Sequence, residues 1–488
     1  MQTRLFIGGE FVDGVDGGRI ETRDPHDGSL LAEVAEAREA DVDRAVAAAT
    51  AAFERWSRTS AAQRGRLLFR LADLIEASSE ELALLETRDT GHPIRDSRGL
   101  DVPRTVATFR YFGGMADKVQ GSVVPVEPGF LNYVLREPLG VVGQVVPWNF
   151  PLMFTSWKLG PALAAGNTVV LKPAELTPLS SLRVAELVAE AGFPPGVVNV
   201  VPGYGPRAGQ RIAEHPGVAK ISFTGSTAVG RGIVTASAGN LKRVQLELGG
   251  KGPNIVFADA DLGAAVAGSA FAIFHNQGQA CIAGSRIVLQ EAIADEFLDR
   301  FCALARSIRI GDPKDQDTEL GPLTSPAHRD RVLSYLKAAA DCGDDILLGG
   351  GPPADPALAA GCYVEPTVVA ADPAHRIAQE EVFGPVVAVH RFAGDDEALR
   401  IANGVAYGLG SGLWTRDVSR AHRLARDLRA GMVWVNSYKR VNPGSPFGGV
   451  GQSGYGREMG FEAMREYTEA KAVWVDVDAA LPPFYRRG

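Results

Sequence analysis

The apolar positions of the first hundred residues recur at the spacing of amphipathic helices. They lie three or four residues apart, as expected where one face of a helix packs against a core. Two such series are Val42, Ala45, Val46, Ala49, Phe53 and Trp56, then Leu67, Leu68, Leu71, Leu74 and Ile75. Ser78 with Glu81 has the spacing of a capping box for a third helix, and Gly91 is placed to end it. This region is therefore predicted to be mainly helical.

From Gly140 onward, short β-branched runs alternate with helical segments. The runs are residues 141–146, 168–171, 197–201, 218–223 and 244–248. This alternation predicts a parallel sheet covered by helices, with ligands bound outside the carboxyl ends of its strands. The segments at those ends are polar or glycine-rich, and we expect one crevice to collect them: Asn149, Lys172, Gly203 with Gly205, Thr224 to Ser226, and Glu247.

A second alternating region runs from about residue 250 to residue 450. Strands are predicted at residues 286–289, 386–392 and 432–436, so we expect a second α/β domain. Residues 349–366 are rich in Gly, Pro and Ala and are predicted to form a surface loop.

Length and charge exclude several classes of protein. A chain of 488 residues predicts two to four folded units, and 45% apolar with 22% charged residues is typical of globular proteins. A net charge of −8 would repel a phosphate backbone, so nucleic acid is not an expected partner. The most apolar stretch, residues 263–274, is shorter than the ~20 residues that span a bilayer. The start has no signal-peptide pattern, and we expect a cytoplasmic protein without a membrane partner.

Metal and disulfide chemistry have little support in the sequence. The four cysteines, Cys281, Cys302, Cys342 and Cys362, contain no C-x-x-C pair, and the eight histidines contain no H-E-x-x-H. No metal is therefore expected. Cys281 lies between Gly278 and Gly284 after an apolar helix, where its thiol could face a cavity, although a lone cysteine is by default a small buried hydrophobe. His275 suggests a Cys–His pair, but a separation of six does not share a helix face.

Three further segments contain residue types that suggest a chemical role. Glu247 lies between two leucines at a strand end, where burial would raise its pKa and suit a general base, although surface strands also alternate charge. The Asn149 amide could donate to an oxyanion, or cap a turn between prolines. Ser226 precedes a predicted helix whose N-terminus could bind an anion. The G-x-G-x-x-G from Gly449 follows no strand, so we reject it as a phosphate loop.

Taken in order, seven motifs strongly resemble those of the NAD(P)-dependent aldehyde dehydrogenase superfamily, over nearly the whole chain. They are Pro147-Trp148-Asn149-Phe150-Pro151, Leu171-Lys172-Pro173-Ala174-Glu175, Phe223-Thr224-Gly225-Ser226, Glu247-Leu248-Gly249-Gly250-Lys251, Gly278-Gln279-Ala280-Cys281, Glu380-Glu381-Val382-Phe383-Gly384-Pro385 and Pro446-Phe447-Gly448-Gly449. The resemblance implies an α/β fold with a Rossmann-like parallel-sheet cofactor domain, an α/β catalytic domain and a small β oligomerisation hairpin. The implied cofactor-binding domain spans residues 1–120 and 139–249, the catalytic domain residues 250–450, and the oligomerisation elements residues 121–138 and 468–488.

The same resemblance assigns roles to residues. It implies that Cys281 attacks the aldehyde, Asn149 holds the oxyanion, Glu247 activates water, and Lys158 with Glu458 relays protons. The implied cofactor contacts are Val146, Pro147, Trp148, Lys172, Glu175, Gly205, Gly209, Phe223, Thr224, Gly225, Ser226, Leu248, Glu381 and Phe383. The implied substrate channel is Arg104, Phe150, Met153, Trp157, Ile282, Lys439, Arg440 and Phe447.

The implied reaction is oxidation of an aldehyde to a carboxylic acid with NAD. Glu175 would repel a 2′-phosphate, so NADP is expected to be tolerated less well. The aromatic side chains of this channel and the three cations near its mouth suggest an aldehyde that is aromatic or carries a remote carboxylate, unless the cations are solvated loop residues. Two alternatives stay open, a cofactor-independent thiol esterase and a non-catalytic structural protein on the same fold. A homodimer or homotetramer is expected.

Overall fold

The structure is a computed structural model that describes residues 2–478. The strands are β1 (Leu5–Ile7), β2 (Glu10–Val12), β3 (Arg19–Arg23), β4 (Leu30–Ala35), β5 (Ser122–Val124), β6 (Phe130–Pro138), β7 (Val141–Val145), β8 (Thr168–Lys172), β9 (Val198–Val200), β10 (Lys220–Thr224), β11 (Arg243–Glu247), β12 (Pro253–Val256), β13 (Arg286–Gln290), β14 (Asp345–Leu348), β15 (Thr367–Ala370), β16 (Val386–Phe392), β17 (Gly410–Trp414), β18 (Met432–Val435), β19 (Gly454–Tyr455) and β20 (Thr468–Asp476). The α-helices are α1 (Glu39–Trp56), α2 (Ala61–Ala77), α3 (Ser79–Thr90), α4 (Ile94–Asp96), α5 (Val102–Met115), α6 (Pro151–Ala165), α7 (Leu179–Ala191), α8 (Gln210–Glu214), α9 (Thr227–Ser237), α10 (Leu262–Phe274), α11 (Ala294–Ser307), α12 (Pro326–Asp341), α13 (Arg376–Gln379), α14 (Asp395–Asn403), α15 (Val418–Asp427) and α16 (Gly460–Glu466).

The first sheet has the strand order β19-β11-β10-β7-β8-β9-β1-β2. Its five central strands, β11 to β9 in that order, are parallel, and every residue of β7, β8 and β10 is buried. The chain enters this parallel core at β7, then moves to β8 and β9 on one side and to β10 and β11 on the other. The point between β7 and β10 is therefore the topological switch point, where open α/β sheets bind their ligands.

The second sheet has the order β14-β15-β16-β13-β12-β17-β18, with only β14 antiparallel to its neighbour. The segments that precede β12, β13 and β16 contain Gly249, Cys281 and Glu381 respectively. Residues of these segments line the same cavity as residues that follow β7 and β10. The site therefore lies between the carboxyl edge of the first sheet and the amino edge of the second.

A third sheet pairs β6 with β5 on one side and with β20 on the other, all antiparallel. This confirms the predicted hairpin and adds the strand Thr468–Asp476 to it, whereas residues 479–488 of the predicted C-terminal element lie outside the described residues. The α/β fold class is confirmed. The domain boundaries stay predictions, and β19 joins the first sheet from beyond the ranges predicted for either domain. Within residues 2–478, no helix has the length and apolar character needed to cross a membrane.

The predicted helices of the N-terminal region are confirmed, but four strands were missed and the predicted Ser78 cap was wrong. Residues 5–35 form four strands that were not predicted, because strands of three to six residues carry too few positions for a period to show. The Ser78 side chain makes no cap hydrogen bond to α3. Its φ of −98° and ψ of 19° are not the extended conformation from which a serine reaches the N3 amide. Gly91, by contrast, ends α3 in the left-handed conformation with φ of 82°, as predicted.

Candidate active site

The loop that carries Cys281 is strained and held in place by side-chain hydrogen bonds. Asn276 and Gln277 both have φ of 54°, which is rare for residues other than glycine. The Gln277 amide donates to the Gly91 carbonyl at 2.7 Å, and the Asn276 amide donates to the Asn149 carbonyl at 2.9 Å. Gly278 has φ of 73°, and a side chain there would overlap the Gly384 carbonyl. These contacts fix the backbone just ahead of Cys281.

Asn149 lies next to this loop and lines the same cavity as Cys281. Its Nδ2 donates to the Gln279 carbonyl at 2.8 Å, two residues before the cysteine. An amide nitrogen carries two hydrogens, so this bond orients the group and leaves one hydrogen for a further acceptor. The side chain is buried, and a donor held in a buried position is what a developing oxyanion requires.

Glu247 is the last residue of β11, and both of its carboxylate oxygens are buried without a hydrogen-bond partner. Burial and then the neighbouring Glu458 carboxylate raise its pKa well above the usual range. The Glu458 Oε1 pairs with the Lys158 ammonium, which also donates to the Ser222 hydroxyl at 3.0 Å. The structure therefore brings Lys158 and Glu458 together, and the Glu458 carboxylate is near enough to Glu247 to raise its pKa.

Partial burial also affects the Cys281 side chain. It raises the pKa of the Cys281 thiol, and the charges of Glu381 and Glu247 raise it further, while the Ile282 backbone N–H lowers it.

Cys281 and Glu247 share a cavity of about 740 Å³ with a set of residues predicted as cofactor contacts. Those predicted contacts are Pro147, Trp148, Thr224, Gly225, Ser226, Leu248, Glu381 and Phe383. Ser226 caps α9, so free backbone N–H groups of that helix are available to a phosphate. A side chain at Gly249 would overlap the Glu381 carboxylate, and the Glu381 Oε1 accepts from the Gly250 amide at 2.9 Å. This donor set fits the pyrophosphate and ribose of a dinucleotide.

The remaining predicted cofactor contacts lie outside this cavity. The Lys172 ammonium, at the end of β8, is 3.2 Å from a Glu175 carboxylate oxygen and donates to the Pro173 carbonyl. A side chain at Gly209 would contact the Lys172 methylenes, and Gly205 begins the same turn after β9. The ring of Phe223 packs under Gly225, and Val146 follows β7. Cofactor binding stays a prediction for these six residues, namely Lys172, Glu175, Gly205, Gly209, Phe223 and Val146.

A second cavity of about 430 Å³ opens on the other side of Cys281. Seven of the eight predicted channel residues line it, namely Arg104, Phe150, Met153, Trp157, Ile282, Lys439 and Phe447. The structure does not bring Arg440 to it, because that side chain is exposed and lines a neighbouring surface cavity. The chain turns at Lys439, whose φ of 55° directs consecutive side chains to different sides.

Several lining residues were not predicted from the sequence. His328 and Arg331, both on α12, line the cofactor cavity, and Phe271 and His275 line the second cavity. The ring of His328 lies 5.0 Å from that of Trp148, and burial lowers the pKa of this histidine to about 4. No sequence signal marked α12, because it lies far along the chain from every motif it faces. His275 was considered only as a partner of Cys281.

A cluster of nitrogen and oxygen atoms adjoins the second cavity. One ligand atom each from His92, Asp96 and His275 lie within 4.8 Å of one another, an arrangement that can accept a metal ion. The charges of Lys439, Arg104 and Arg95 act on His275 and, after burial, lower its pKa further below the usual range.

Comparison with known proteins decides the family. The sequence profile described as "Aldehyde dehydrogenase family" matches residues 11–473. The chain belongs to the aldehyde dehydrogenase family. Oxidation of an aldehyde to the carboxylic acid is the reaction of that family, and the chain is an oxidoreductase of this kind.

Individual relatives agree over the full length. The crystal structure of PnpE from Pseudomonas sp. WBC-3 is 68% identical with a TM-score of 0.99 and covers 100% of both chains, and PnpE is also known in complex with nicotinamide adenine dinucleotide. The NAD⁺ complex of an aldehyde dehydrogenase from Bacillus cereus is 44% identical with a TM-score of 0.96, covering 98% of this chain and 97% of that one. The NADP/NAD-dependent aldehyde dehydrogenase PuuC of Escherichia coli is 47% identical over 98% of this chain and 97% of its own length.

Proposed function

We propose that this aldehyde dehydrogenase works through a covalent intermediate on Cys281. The thiolate attacks the carbonyl carbon, and the carbonyl electron pair moves to oxygen, where the free Asn149 hydrogen and the Cys281 backbone N–H stabilise it. Departure of hydride restores the carbonyl and leaves a thioester. The observation that supports this most is the shared cavity of Cys281, Asn149 and Glu247 with a dinucleotide-compatible donor set.

The nicotinamide cofactor supplies the hydride acceptor. The residues that would hold it are Ser226 at the pyrophosphate, Glu381 at the nicotinamide ribose, and the rings of Trp148 and Phe383, which meet edge to face at 5.2 Å. Burial raises the pKa of Glu381 to about 7, while the Gly250 amide and the charge of Lys251 oppose that rise. Glu381 in its ionised form would accept hydrogen bonds from a ribose diol.

Hydrolysis of the thioester is the second half of the reaction. Glu247 removes a proton from water, the oxygen attacks the acyl carbon, and the C–S bond breaks with the electron pair returning to sulfur. We infer that Glu458, which pairs with the Lys158 ammonium, receives the proton from Glu247. The product is a carboxylic acid, and the presence of Glu247 favours hydrolysis over transfer of the acyl group to another acceptor.

Cofactor choice is expected to depend on Glu175. Its side chain is about one third exposed beside the Lys172 ammonium, where its charge would repel a 2′-phosphate. We expect Glu175→Gln to lower the ratio of kcat/KM for NAD to that for NADP by about tenfold, since removing one like charge is worth about that much. Steady-state kinetics with both cofactors measures the ratio. Glu190→Gln, an exposed change on α7, is the matched control, and an unaltered ratio in Glu175→Gln would remove this role.

Assembly and location are also proposals. The three-stranded sheet carries exposed apolar side chains, among them Val123 and Trp474, at 71% and 56% exposure. Such a surface favours burial against further copies of the chain, consistent with the predicted homodimer or homotetramer. Cys281, Cys302, Cys342 and Cys362 form no disulfide in the part of the chain that is described, which suits a reducing cytoplasm.

The decisive experiment is a panel of aldehydes incubated with the protein and NAD, with cofactor reduction followed by absorbance. We expect reduction that depends on both aldehyde and enzyme, with the carboxylic acid formed in equal amount. Hydrolysis of activated esters without any cofactor-dependent oxidation would favour the thiol esterase. Absence of both activities would favour the structural protein.

A further inference from the structure

Two histidine rings and a carboxylate meet where the segment before α4 faces the end of α10. One ligand atom each of His92, Asp96 and His275 lie within 4.8 Å of one another. The His92 Nε2 is 3.8 Å from an Asp96 carboxylate oxygen, and the rings of His92 and His275 stand edge to face with their centroids 5.4 Å apart. Zinc–nitrogen and zinc–oxygen bonds are about 2.0–2.2 Å long. Three ligand atoms at these separations therefore need only a small movement to share one ion.

The ring nitrogens of this cluster are left without a partner within residues 2–478. The His92 Nε2 and both ring nitrogens of His275 are buried and make no hydrogen bond in that part of the chain. A buried polar atom without a partner costs free energy, so such atoms are normally satisfied by protein, water or an ion. Their grouping on one side of a carboxylate indicates a single bound species that contacts all three residues.

Asp101 fixes the orientation and the tautomer of His92. Its Oδ2 lies 2.6 Å from the His92 Nδ1, and because the carboxylate accepts, that nitrogen carries the hydrogen. In the neutral ring the lone pair is then on Nε2, the nitrogen on the side of Asp96. A histidine that ligates a metal almost always donates its other ring N–H to a carboxylate, a carbonyl or water in this way.

The two segments that supply the ligands are already tied to each other. His92 follows Gly91, whose carbonyl accepts from the Gln277 amide at 2.7 Å, and Gln277 lies two residues after His275. Asp96 is the last residue of α4, one turn beyond His92. Ligands that are held in place before an ion arrives lose less conformational entropy when it binds.

The donor set indicates the kind of metal. Two imidazoles with one carboxylate suit zinc and its neighbours in the first transition series, whereas Mg²⁺ and Ca²⁺ require mostly oxygen ligands. Arg104 and Lys439 line the second cavity together with His275, and their charges oppose a cation. The charges of Asp101 and Asp96 act on Arg104 with the opposite sign. We therefore expect bonds to the ring nitrogens, more than charge attraction, to hold the ion.

We propose that His92, Asp96 and His275 bind a divalent transition-metal ion such as Zn²⁺, with Asp101 orienting His92 and with water as the fourth ligand. His275 directly precedes the strained residues of the loop that carries Cys281, so the ion links α4 to that loop and stabilises their junction. The aldehyde chemistry proposed above does not require this ion. No sequence motif indicated the site, because His275 lies far along the chain from the other two ligands.

Calorimetric titration of the metal-free, full-length protein with Zn²⁺ tests the site. The titration uses Cys281→Ala, so that the thiol of the neighbouring cavity cannot bind the ion. We expect one ion per chain at this site, and a rise of about 3 °C in the unfolding midpoint at a hundredfold excess of Zn²⁺ over its Kd. Mg²⁺ is expected to give neither binding heat nor a shift. Absence of Zn²⁺ binding would overturn the proposal.

Variants assign the ion to these side chains. His92→Asn and Asp96→Asn each remove a ligand and are expected to weaken Zn²⁺ binding by about a hundredfold or more. Asp101→Asn removes only the orienting carboxylate, and a loss of about tenfold to a hundredfold is expected. His422→Asn, which removes an exposed histidine on α15, is the matched control and should keep the original Kd. Equal Kd values in His92→Asn and the control would overturn the proposal.

Cobalt provides a measurement that needs no change to the ligands. Co²⁺ bound by imidazole and carboxylate absorbs in the visible region but lacks the charge-transfer band that a thiolate ligand produces. We expect this spectrum in the wild type, unchanged in Cys281→Ala. A charge-transfer band that disappears in Cys281→Ala would place the metal on the nucleophile and overturn the proposal. Aldehyde oxidation by the metal-free wild type tests the proposed function separately, so the two proposals can fail independently.

Discussion

Cys281→Ala is expected to abolish aldehyde oxidation and to leave NAD binding largely intact. The alanine removes the atom that bonds to substrate, and loss of a covalent nucleophile typically lowers turnover by about 10⁴-fold or more. The proposed cofactor contacts come from other segments, since Trp148 follows β7, Ser226 caps α9 and Glu381 precedes β16. Turnover is measured by cofactor reduction, and binding by calorimetric titration with NAD.

Cys342→Ala provides the matched control, because Cys342 is exposed at the end of α12 and should tolerate the change without loss of turnover. Retained oxidation in Cys281→Ala would move the nucleophile elsewhere. Loss of both oxidation and NAD binding would show that the loop supports the cofactor cavity and not only the chemistry. The strained Asn276 and Gln277 make the distinction worthwhile, since that loop packs against Asn149 and Gly91.

The sequence predicted the parallel core because buried strands leave a strong signal. All five residues of β7 and of β8 are buried, so their runs are apolar throughout and stand out between helical segments. The same feature located Glu247, a charge at the end of such a run. The strands β1 to β4 were missed because each has only three to six residues; β1 is fully buried, whereas β2, β3 and β4 are only partly buried. The antiparallel β19 of two residues leaves no pattern at all.

The site residues likewise include some that the sequence predicted and some that it did not. Asn149 and Glu247 were predicted to share one crevice because each lies at or shortly after the carboxyl end of a strand of the first sheet, whereas Cys281 was assigned to the same site by the family resemblance. His328 and His275 were not, because their roles depend on how α12 and α10 pack, which no local spacing encodes. Arg440 shows the opposite error. Its neighbour Lys439 faces the cavity, but a positive φ turns the backbone between them, and sequence alone does not show that turn.

Glu247→Gln is expected to slow hydrolysis of the thioester more than hydride transfer. The amide keeps the size of the side chain but cannot remove a proton from water, and loss of a general base costs about 10²- to 10⁴-fold. A first turnover of cofactor reduction should therefore persist as a burst while the steady-state rate falls. Rapid-mixing kinetics measures the burst, and mass spectrometry of quenched enzyme detects the acyl group on Cys281. Equal loss of burst and steady state would contradict the role.

The pH dependence gives an independent check. Burial first, and then the charge of Glu458, raise the pKa of Glu247, so in the wild type the base is protonated and inactive at low pH. The steady-state rate should rise with pH through that raised pKa, above the range of an ordinary glutamate, and the rise should be absent in Glu247→Gln.

The stability of the variant provides a control. A protein with a carboxyl whose folded pKa lies above its unfolded value becomes less stable as the pH rises through the interval between these two values. Glu247→Gln removes the buried carboxylate charge, so the unfolding temperature of the variant at neutral pH should not fall below that of the wild type. An inactive variant that is also less stable would therefore mean that the substitution disturbed the fold and not the proton transfer.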